Sequence, residues 1–399
     1  MECVDVPGVV GGKLLRRRKI LIALNTAWNL YNFRAGLIRS LVEAGYDVVA
    51  VAPPDEYAHR LLELGCRFVP FPMDNMGTNP ARDLLLALRF FCLFMRERPD
   101  VYLGYTVKPN VYGSLMAHTL GIPVVNNIAG LGTAFIKQTW LTELVRRLYR
   151  LALSRSVKVF FQNESDRRLF VEGGLVRRET IDLVPGSGID LLQFAPVTGR
   201  FWIGSSLAPP SNDGGKFRFL LIARMVWDKG IGEYVEAARR LREHFPYAEF
   251  FLLGFLDVQN PTAISRAQMD LWVAEGVVNY LGETDDVRPH LAAADCIVLP
   301  SYREGTPRTL LEAAAMARPI VTTDAVGCRE VLDDGRNGFL CKPRDAGDLA
   351  AKMELMLLLT DEQRREMGLR GREKMEREFD EQIVIRKYLD TIAEIISRT

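Results

Sequence analysis

Short apolar runs alternate with helical patterns almost from one end of this chain to the other, and no other feature limits its fold so tightly. KILIALN (19–25) reads as a buried strand, and FRAGLIRSLVEAG after it as a helix closed by Gly45. YDVVAVAP is the next strand, followed by a helix ending near Gly65 and the strand RFVPFPM. VYLGYT, PVVNNIAG, VKVFFQN and IDLVPG continue the series. Strands separated by helices pair in parallel, and a parallel sheet is covered on both faces. Residues 196–216, PVTGRFWIGSSLAPPSNDGGK, break the rhythm with Gly, Pro, Ser and Asn and read as a linker or insertion. Alternation restarts with FRFLLIAR, AEFFLLGF, VNYLGE, DCIVLPS, PIVTT and GFL. The fold class expected is α/β, with two doubly wound parallel-sheet domains at 19–195 and 217–378 and a cleft between them. A loose basic arm (1–18) ending in Arg16, Arg17 and Arg18 precedes them, and a last amphipathic helix (379–399) follows with no strand after it.

Composition narrows the function by exclusion. Lys and Arg number 51 against 50 Asp and Glu, so no global field favours nucleic acid as a partner. The cysteines at 3, 66, 92, 296, 328 and 341 contain no CxxC pair, which suits reduced, mostly buried thiols in a cytoplasmic protein. Four scattered histidines make a His-based metal site a poor expectation. The apolar run Ile20–Leu24 is too short for a signal-peptide core, and no stretch approaches the ~20 apolar residues of a membrane-spanning helix. A soluble protein, or one resting on a membrane surface, is expected.

In doubly wound folds ligands sit outside the carboxyl ends of the strands, so motifs matter most just after a strand. SYREGTPRTLLEAAAMARP (301–319) follows the strand DCIVLPSY and carries two glutamates, Glu304 and Glu312. Thr306 then Pro307 fits a helix start, with Thr as N-cap and Pro at the first helical position, and Pro319 forbids continuation. That places Glu304 in the loop and Glu312 two turns along the helix, with the free N–H groups of Gly305 and Thr306 offered to an anion. The spacing alone also suits a solvated helix with incidental acids. A second segment, ARMVWDKG (223–230), sets Arg224 at a strand end and Lys229 just before the next helix.

Taken together, these segments resemble the family 4 retaining glycosyltransferases of GT-B fold, in which two Rossmann-like domains face a cleft. EGTPRTLLE matches the family's E-x7-E donor motif, and ARMVWDKG its Arg…Lys-Gly segment. VPGSGIDLLQF (184–194) is similar to the turn closing its first domain, and GCREVLDDGRNGFLCKPRD (327–345) to the loop and Asn-Gly-Phe strand after the second glutamate. YNFRAGLIRSL, GLGTAF (130–135), FFQNESD, DKGIGEYVEAA and AVGCREVL resemble a subgroup that extends lipid-diphosphate-linked sugars, N-acetylgalactosaminyltransferases among them.

The resemblance implies a UDP-sugar donor, N-acetylgalactosamine being the best guess, and an undecaprenyl-diphosphate-linked saccharide as acceptor at the cytoplasmic membrane face. Glu304 would accept hydrogen bonds from donor-sugar hydroxyls and Glu312 from the ribose, while Arg224 and Lys229 grip the diphosphate. Gly305, Thr306, Pro307, Gly282 and Glu283 complete the implied donor pocket. No Asp-x-Asp stands at a strand end, since Asp285-Asp286 and Asp333-Asp334 are adjacent pairs, so no metal or other cofactor is expected. Arg34, Lys108 and the loop Gly130-Leu131-Gly132 follow first-domain strands and are the candidates for the acceptor's diphosphate.

The helices at 80–100 and 140–156 mix arginines with Leu, Phe and Tyr, as a helix lying on an anionic membrane would, although core-packed helices with solvated arginines read the same way. The terminal helix should cross back onto the first domain. Two departures from the family stand out. Tyr105, Thr106 and Val107 occupy the place of a common histidine, His118 being expected to pack beside a helix instead, and NTAWNLYNF (25–33) lacks the usual Gly-Gly pair. Other readings are a transferase of capsule, O-antigen or exopolysaccharide synthesis using another hexose, a sugar-nucleotide epimerase or hydrolase, and a binding subunit without turnover.

Overall fold

A computed structural model describes residues 16–74, 79–130, 140–196, 215–258 and 260–398. The first sheet contains β1 (Lys19–Ala23), β2 (Asp47–Ala52), β3 (Arg67–Pro70), β4 (Val101–Tyr105), β5 (Val124–Ile128), β6 (Lys158–Phe161) and β7 (Ile181–Leu183). Its order is β3-β2-β1-β4-β5-β6-β7, with every pairing parallel. The second sheet contains β8 (Phe217–Ile222), β9 (Ala248–Leu253), β10 (Asn279–Tyr280), β11 (Cys296–Leu299), β12 (Ile320–Thr323) and β13 (Gly338–Cys341), in the order β10-β9-β8-β11-β12-β13 and again parallel. Central strands such as β4, β8 and β11 are buried along their whole length, which is why they are written as unbroken apolar runs.

The helices α1 (Ala27–Glu43), α2 (Ala58–Leu62), α3 (Pro80–Glu97), α4 (Ser114–Thr119), α5 (Trp140–Leu153) and α6 (Glu164–Glu172) cover the first sheet. Around the second lie α7 (Ile231–His244), α8 (Arg266–Ala274), α9 (Arg288–Ala293), α10 (Arg308–Ala315), α11 (Ala346–Leu358) and α12 (Asp361–Lys374). Strand order reverses between β1 and β4 in one sheet and between β8 and β11 in the other. At such a switch point the flanking loops diverge and leave a crevice, so each sheet offers its natural binding edge there.

The terminal helix α13 (Glu381–Ser397) belongs by packing to the first core, where Val384, Ile385, Tyr388, Ile392 and Ile395 are buried. Its Tyr388 ring stacks on Tyr105 at 6.0 Å, and the Tyr388 hydroxyl accepts from Asn127 Nδ2 at 3.0 Å. The chain therefore crosses from the second sheet back to the first just after Phe379. Main-chain bonds mark the crossing, from Ile189 N to Phe379 O (2.8 Å) and from Glu381 N to Ile189 O (3.1 Å).

The basic run before β1 is not loose where the structure describes it. Arg16 donates to Arg98 O at 2.9 Å, Arg18 pairs with Asp100 at 2.9 Å, and Lys19 donates to Glu97 O at 2.9 Å. Asp100 just past α3 and main-chain carbonyls at the end of α3 tie Arg16, Arg18 and Lys19 to the first domain. Residues 1–15 and most of the linker (197–214) lie outside the described residues. His118 sits in α4 with Nε2 2.8 Å from Ala152 O, packed between helices as expected, and burial lowers its pKa. In α5, Tyr149, Ala152 and Leu153 are buried while Leu144 and Leu151 are exposed, so one face is core.

Candidate functional site at the two switch points

The loops after β8 and β11 meet at the second switch point. After β8 the chain makes a tight turn, Trp227–Lys229, and enters α7 through Gly230 at φ 73°. A Cβ on Gly230 would stand 2.1 Å from Pro300 O, so only glycine lets this turn press against the exit of β11. Lys229 is thereby delivered to Glu304, and the two form an ion pair with only 20% and 13% of their side chains exposed. Ser301 Oγ donates to the same Glu304 oxygen at 2.6 Å, and Glu304 N donates to Val326 O at 2.8 Å. Lys229 and Glu304 thus act as one unit rather than as two independent groups.

Glu312 is the fifth residue of an eight-residue helix, little more than one turn in, because α10 starts at Arg308 and stops at Ala315 rather than running to Pro319. Beyond it Ala317 turns to φ 54°, which ends the helix before the proline is reached. The late start also corrects the expected cap. Pro307 holds the cap position, with no side-chain cap bond, and the Thr306 hydroxyl donates instead to Gln162 O of the first domain at 3.3 Å. A tertiary acceptor has taken the hydroxyl that local sequence assigns to the helix. Burial pushes the Glu312 carboxyl above the usual carboxylate range, and Arg308, whose Nε lies 3.0 Å away, pulls against it.

Arg224 lies two residues beyond β8, is exposed, and makes no ion pair among the described residues. Gly282 follows β10 at φ 77°, its carbonyl accepting from Gly254 N at 2.7 Å, while Glu283 is exposed. Across the cleft Gly130 takes φ 132°, and a Cβ there would lie 3.6 Å from Gly305 N. The loop after β5 therefore rests directly on the loop that carries Glu304. Gly132 lies outside the described residues. Arg34 is buried with its guanidinium 4.5 Å above the Tyr105 ring, and Lys108 pairs with Asp83 at 3.0 Å. These two are drawn into their own domain and stand apart from the Lys229–Glu304 pair.

Several residues that sequence reasoning passed over complete the contact between the domains. Asn163, which caps α6, and Asp166 within it hold the loop at Gly305 and Arg303. Arg308 Nη1 reaches Ser187 Oγ at 3.2 Å and Gly188 O at 3.3 Å. At the other end of the cleft the Tyr57 hydroxyl donates to Asp285, and burial, together with this partner, pushes the phenol up to about 12. The strings FFQNESD and VPGSGID carry four of these residues, Asn163, Asp166, Ser187 and Gly188, and their polar character straight after a strand was the available signal. Among the described residues, no group of three or more His, Cys, Asp or Glu is arranged to hold a metal ion.

Comparison with known proteins agrees with this architecture. Residues 216–358 match the family model described as "Glycosyl transferases group 1", and 33–186 match "Glycosyl transferase 4-like domain". The chain is 30% identical, over 92% of its length and 96% of the relative's, to N,N'-diacetylbacillosaminyl-diphospho-undecaprenol alpha-1,3-N-acetylgalactosaminyltransferase of Campylobacter jejuni. It is 22% identical to UDP-Gal:alpha-D-GlcNAc-diphosphoundecaprenol alpha-1,3-galactosyltransferase of Escherichia coli, across 74% of each chain. In fold it is similar to sucrose-phosphate synthase of Thermosynechococcus elongatus, with a TM-score of 0.77 at 18% identity covering 96% of this chain and all of that one. HepE of Anabaena, solved with UDP and glucose, superposes with a TM-score of 0.75 at 16% identity, covering 95% and 100%. Two parallel-sheet domains, a cleft lined by their switch-point loops and a full-length relative at this identity place the chain in the group 1, family 4 glycosyltransferases, retaining enzymes of GT-B fold.

Proposed function

We propose that this transferase moves a sugar, N-acetylgalactosamine in the first instance, from a UDP-sugar to an undecaprenyl-diphosphate-linked saccharide at the cytoplasmic face of a bacterial membrane. The observation that carries this reading is the likeness, over nearly the whole of both chains, to an enzyme whose name states that donor sugar and that lipid. The E. coli relative, named for a galactose donor and the same class of lipid, makes UDP-galactose the second donor to try.

In this reading the donor lies along the β8–β11 switch point. Breaking the bond from the sugar's C1 to the diphosphate leaves negative charge on the departing phosphate. Lys229, held by Glu304, and the N–H groups of Gly305 and Thr306 are in place before that charge develops, and the exposed Arg224 closes on it when the donor binds. Donor-sugar hydroxyls bind Glu304, sharing it with Lys229, and the ribose binds Glu312. The acceptor hydroxyl attacks C1 on the face the diphosphate leaves, and its proton passes to the leaving phosphate oxygen, so configuration is retained. No metal is assigned a part; chelation by EDTA should leave turnover unchanged.

On the acceptor side, α3 supports contact with a membrane. Leu84, Leu88, Phe91 and Met95 recur at helical spacing and are all exposed, from 37% to 64%. Arg82, Arg89 and Arg96 run alongside them seven residues apart, a pattern suited to anionic headgroups above an apolar layer. Among the described residues no helix is long and apolar enough to cross a membrane. Beside this face a pocket of about 210 Å³ is lined by Met73, Arg82, Leu86, Arg89 and Lys108, at the carboxyl edge of the first sheet. Asp74 also lines it and pairs with Arg82, as Asp83 does with Lys108, so in this reading a lipid-borne diphosphate takes the place of those carboxylates.

The test is UDP release from a panel of UDP-sugars, with and without an undecaprenyl-diphosphate-linked monosaccharide, in wild type and Glu304→Ala. Release that requires the lipid and collapses in the variant supports the reading. Release without any acceptor would make the protein a hydrolase. No release from any donor with this lipid would move the acceptor to another class.

A further inference from the structure

Glu304 sits in a short loop between β11 and α10, yet the residues on either side of it are held by the opposite domain. Arg303 reaches across the cleft to Asp166, forming an ion pair with a carboxylate that is itself completely buried. Two residues later, Gly305 O accepts from Asn163 Nδ2 at 3.3 Å. Asn163 and Asp166 are no accidental neighbours. Asn163 caps α6, its Oδ1 accepting from Asp166 N at 2.8 Å, and its Nδ2 also donates to Asp166 Oδ2 at 3.1 Å. One rigid helix start therefore offers a carboxylate and an amide at a fixed separation, and the loop docks on both.

Gly305 is the only residue type that fits this docking. A Cβ there would stand 2.2 Å from Ala129 O and 3.0 Å from Gln162 Oε1. Arg167 and Arg168, next in the sequence, are already paired with Glu164. The cation that meets Asp166 among the described residues is thus supplied by the other domain.

We infer that Asn163 and Asp166 are positioning residues for the transfer reaction: they fix Glu304, and the donor sugar it holds, against the acceptor-binding domain. The chemistry needs the acceptor hydroxyl and the donor's C1 brought to near contact, and these arrive on different domains. A clamp running from the start of α6 to both neighbours of Glu304 sets that alignment without touching either substrate. Removing it leaves UDP binding largely intact and lowers turnover. This rests on Glu304 contacting the donor sugar, as proposed above.

The experiment measures kcat and donor KM by acceptor-dependent UDP release for Arg303→Met, Arg303→Lys, Asp166→Asn and the Arg303→Met/Asp166→Asn double variant. UDP affinity is measured by calorimetry and the melting temperature by scanning. The expected result is a fall in kcat of about tenfold or more for Arg303→Met and Asp166→Asn, with donor KM and UDP affinity changed by less than about threefold. Arg303→Lys should recover part of the rate, and the double variant should be no worse than the poorer single one. Wild-type kcat in Arg303→Met, or losses that multiply in the double variant, would overturn the clamp. So would a fall in kcat that only tracks melting. Arg303 is partly exposed, so its variants fold even if Asp166→Asn does not. Glu304→Ala runs in parallel: if it retains full activity, the reading of Glu304 fails, whereas loss there with intact clamp variants fails the clamp alone.

Discussion

Replacing Gly230 with alanine should loosen the second domain more than the same change at Gly335, by an amount the geometry supplies. Both glycines have left-handed backbone, at φ 73° and φ 72°. An L-residue held there costs roughly 1–2 kcal/mol. At Gly335 a Cβ meets nothing within 4 Å, so that is the whole penalty. At Gly230 the Cβ would stand 2.1 Å from Pro300 O and 2.8 Å from its carbonyl carbon, both backbone atoms that cannot swing aside. Forcing the turn away adds roughly 1–3 kcal/mol of overpacking, for about 2–5 kcal/mol in total. For a domain of this size each kcal/mol lowers the melting temperature by about 2–4 °C, so Gly230→Ala should melt about 2–12 °C below Gly335→Ala. Scanning calorimetry of the two variants and wild type measures it. Because the displaced turn carries Lys229, UDP affinity should fall in Gly230→Ala and hold in Gly335→Ala. Equal melting temperatures for the two variants would refute the reasoning, since the clash is all that separates them.

Three further outcomes follow from other parts of the molecule. Glu312 has a raised pKa in the folded chain, so between its ordinary value and the raised one the folded state keeps a proton the unfolded state has lost. Its contribution therefore falls as pH rises through that interval; melting of Glu312→Gln against pH should drop less steeply than wild type, and parallel curves would contradict it. Changing Leu84, Leu88, Phe91 and Met95 together to Gln should weaken sedimentation with phosphatidylglycerol vesicles by about tenfold or more with little change in melting, because these side chains are exposed. Unchanged sedimentation would remove α3 as the membrane face. Tyr388→Ala should cost about 3–5 kcal/mol through the cavity it leaves, and Tyr388→Phe about 1 kcal/mol through the lost bond from Asn127; denaturant titration that found the two equal would mean α13 is not anchored by that ring.

The sequence by itself determined the sheets. Buried parallel strands are local apolar runs, and helices between them announce themselves by period and by caps such as Thr26, whose hydroxyl accepts from Asn29 N at 3.0 Å. The neighbourhood of the proposed donor site could be read for the same reason, since Arg224, Lys229 and Glu304 all stand just past strand ends. Tertiary structure decided who partners whom. Lys229 meets Glu304 from 75 positions away because strand order reverses between β8 and β11, and no local pattern states that order. Thr306 abandons its helix for Gln162, and Arg16 and Arg18 before β1 are held by Arg98 O and Asp100 just past α3. The Arg303–Asp166 contact spans two separately folded cores. A side chain's secondary structure is set by its near neighbours in sequence, but its charge partner is set by which loops the two sheets bring together, and that is a property of the packed molecule alone.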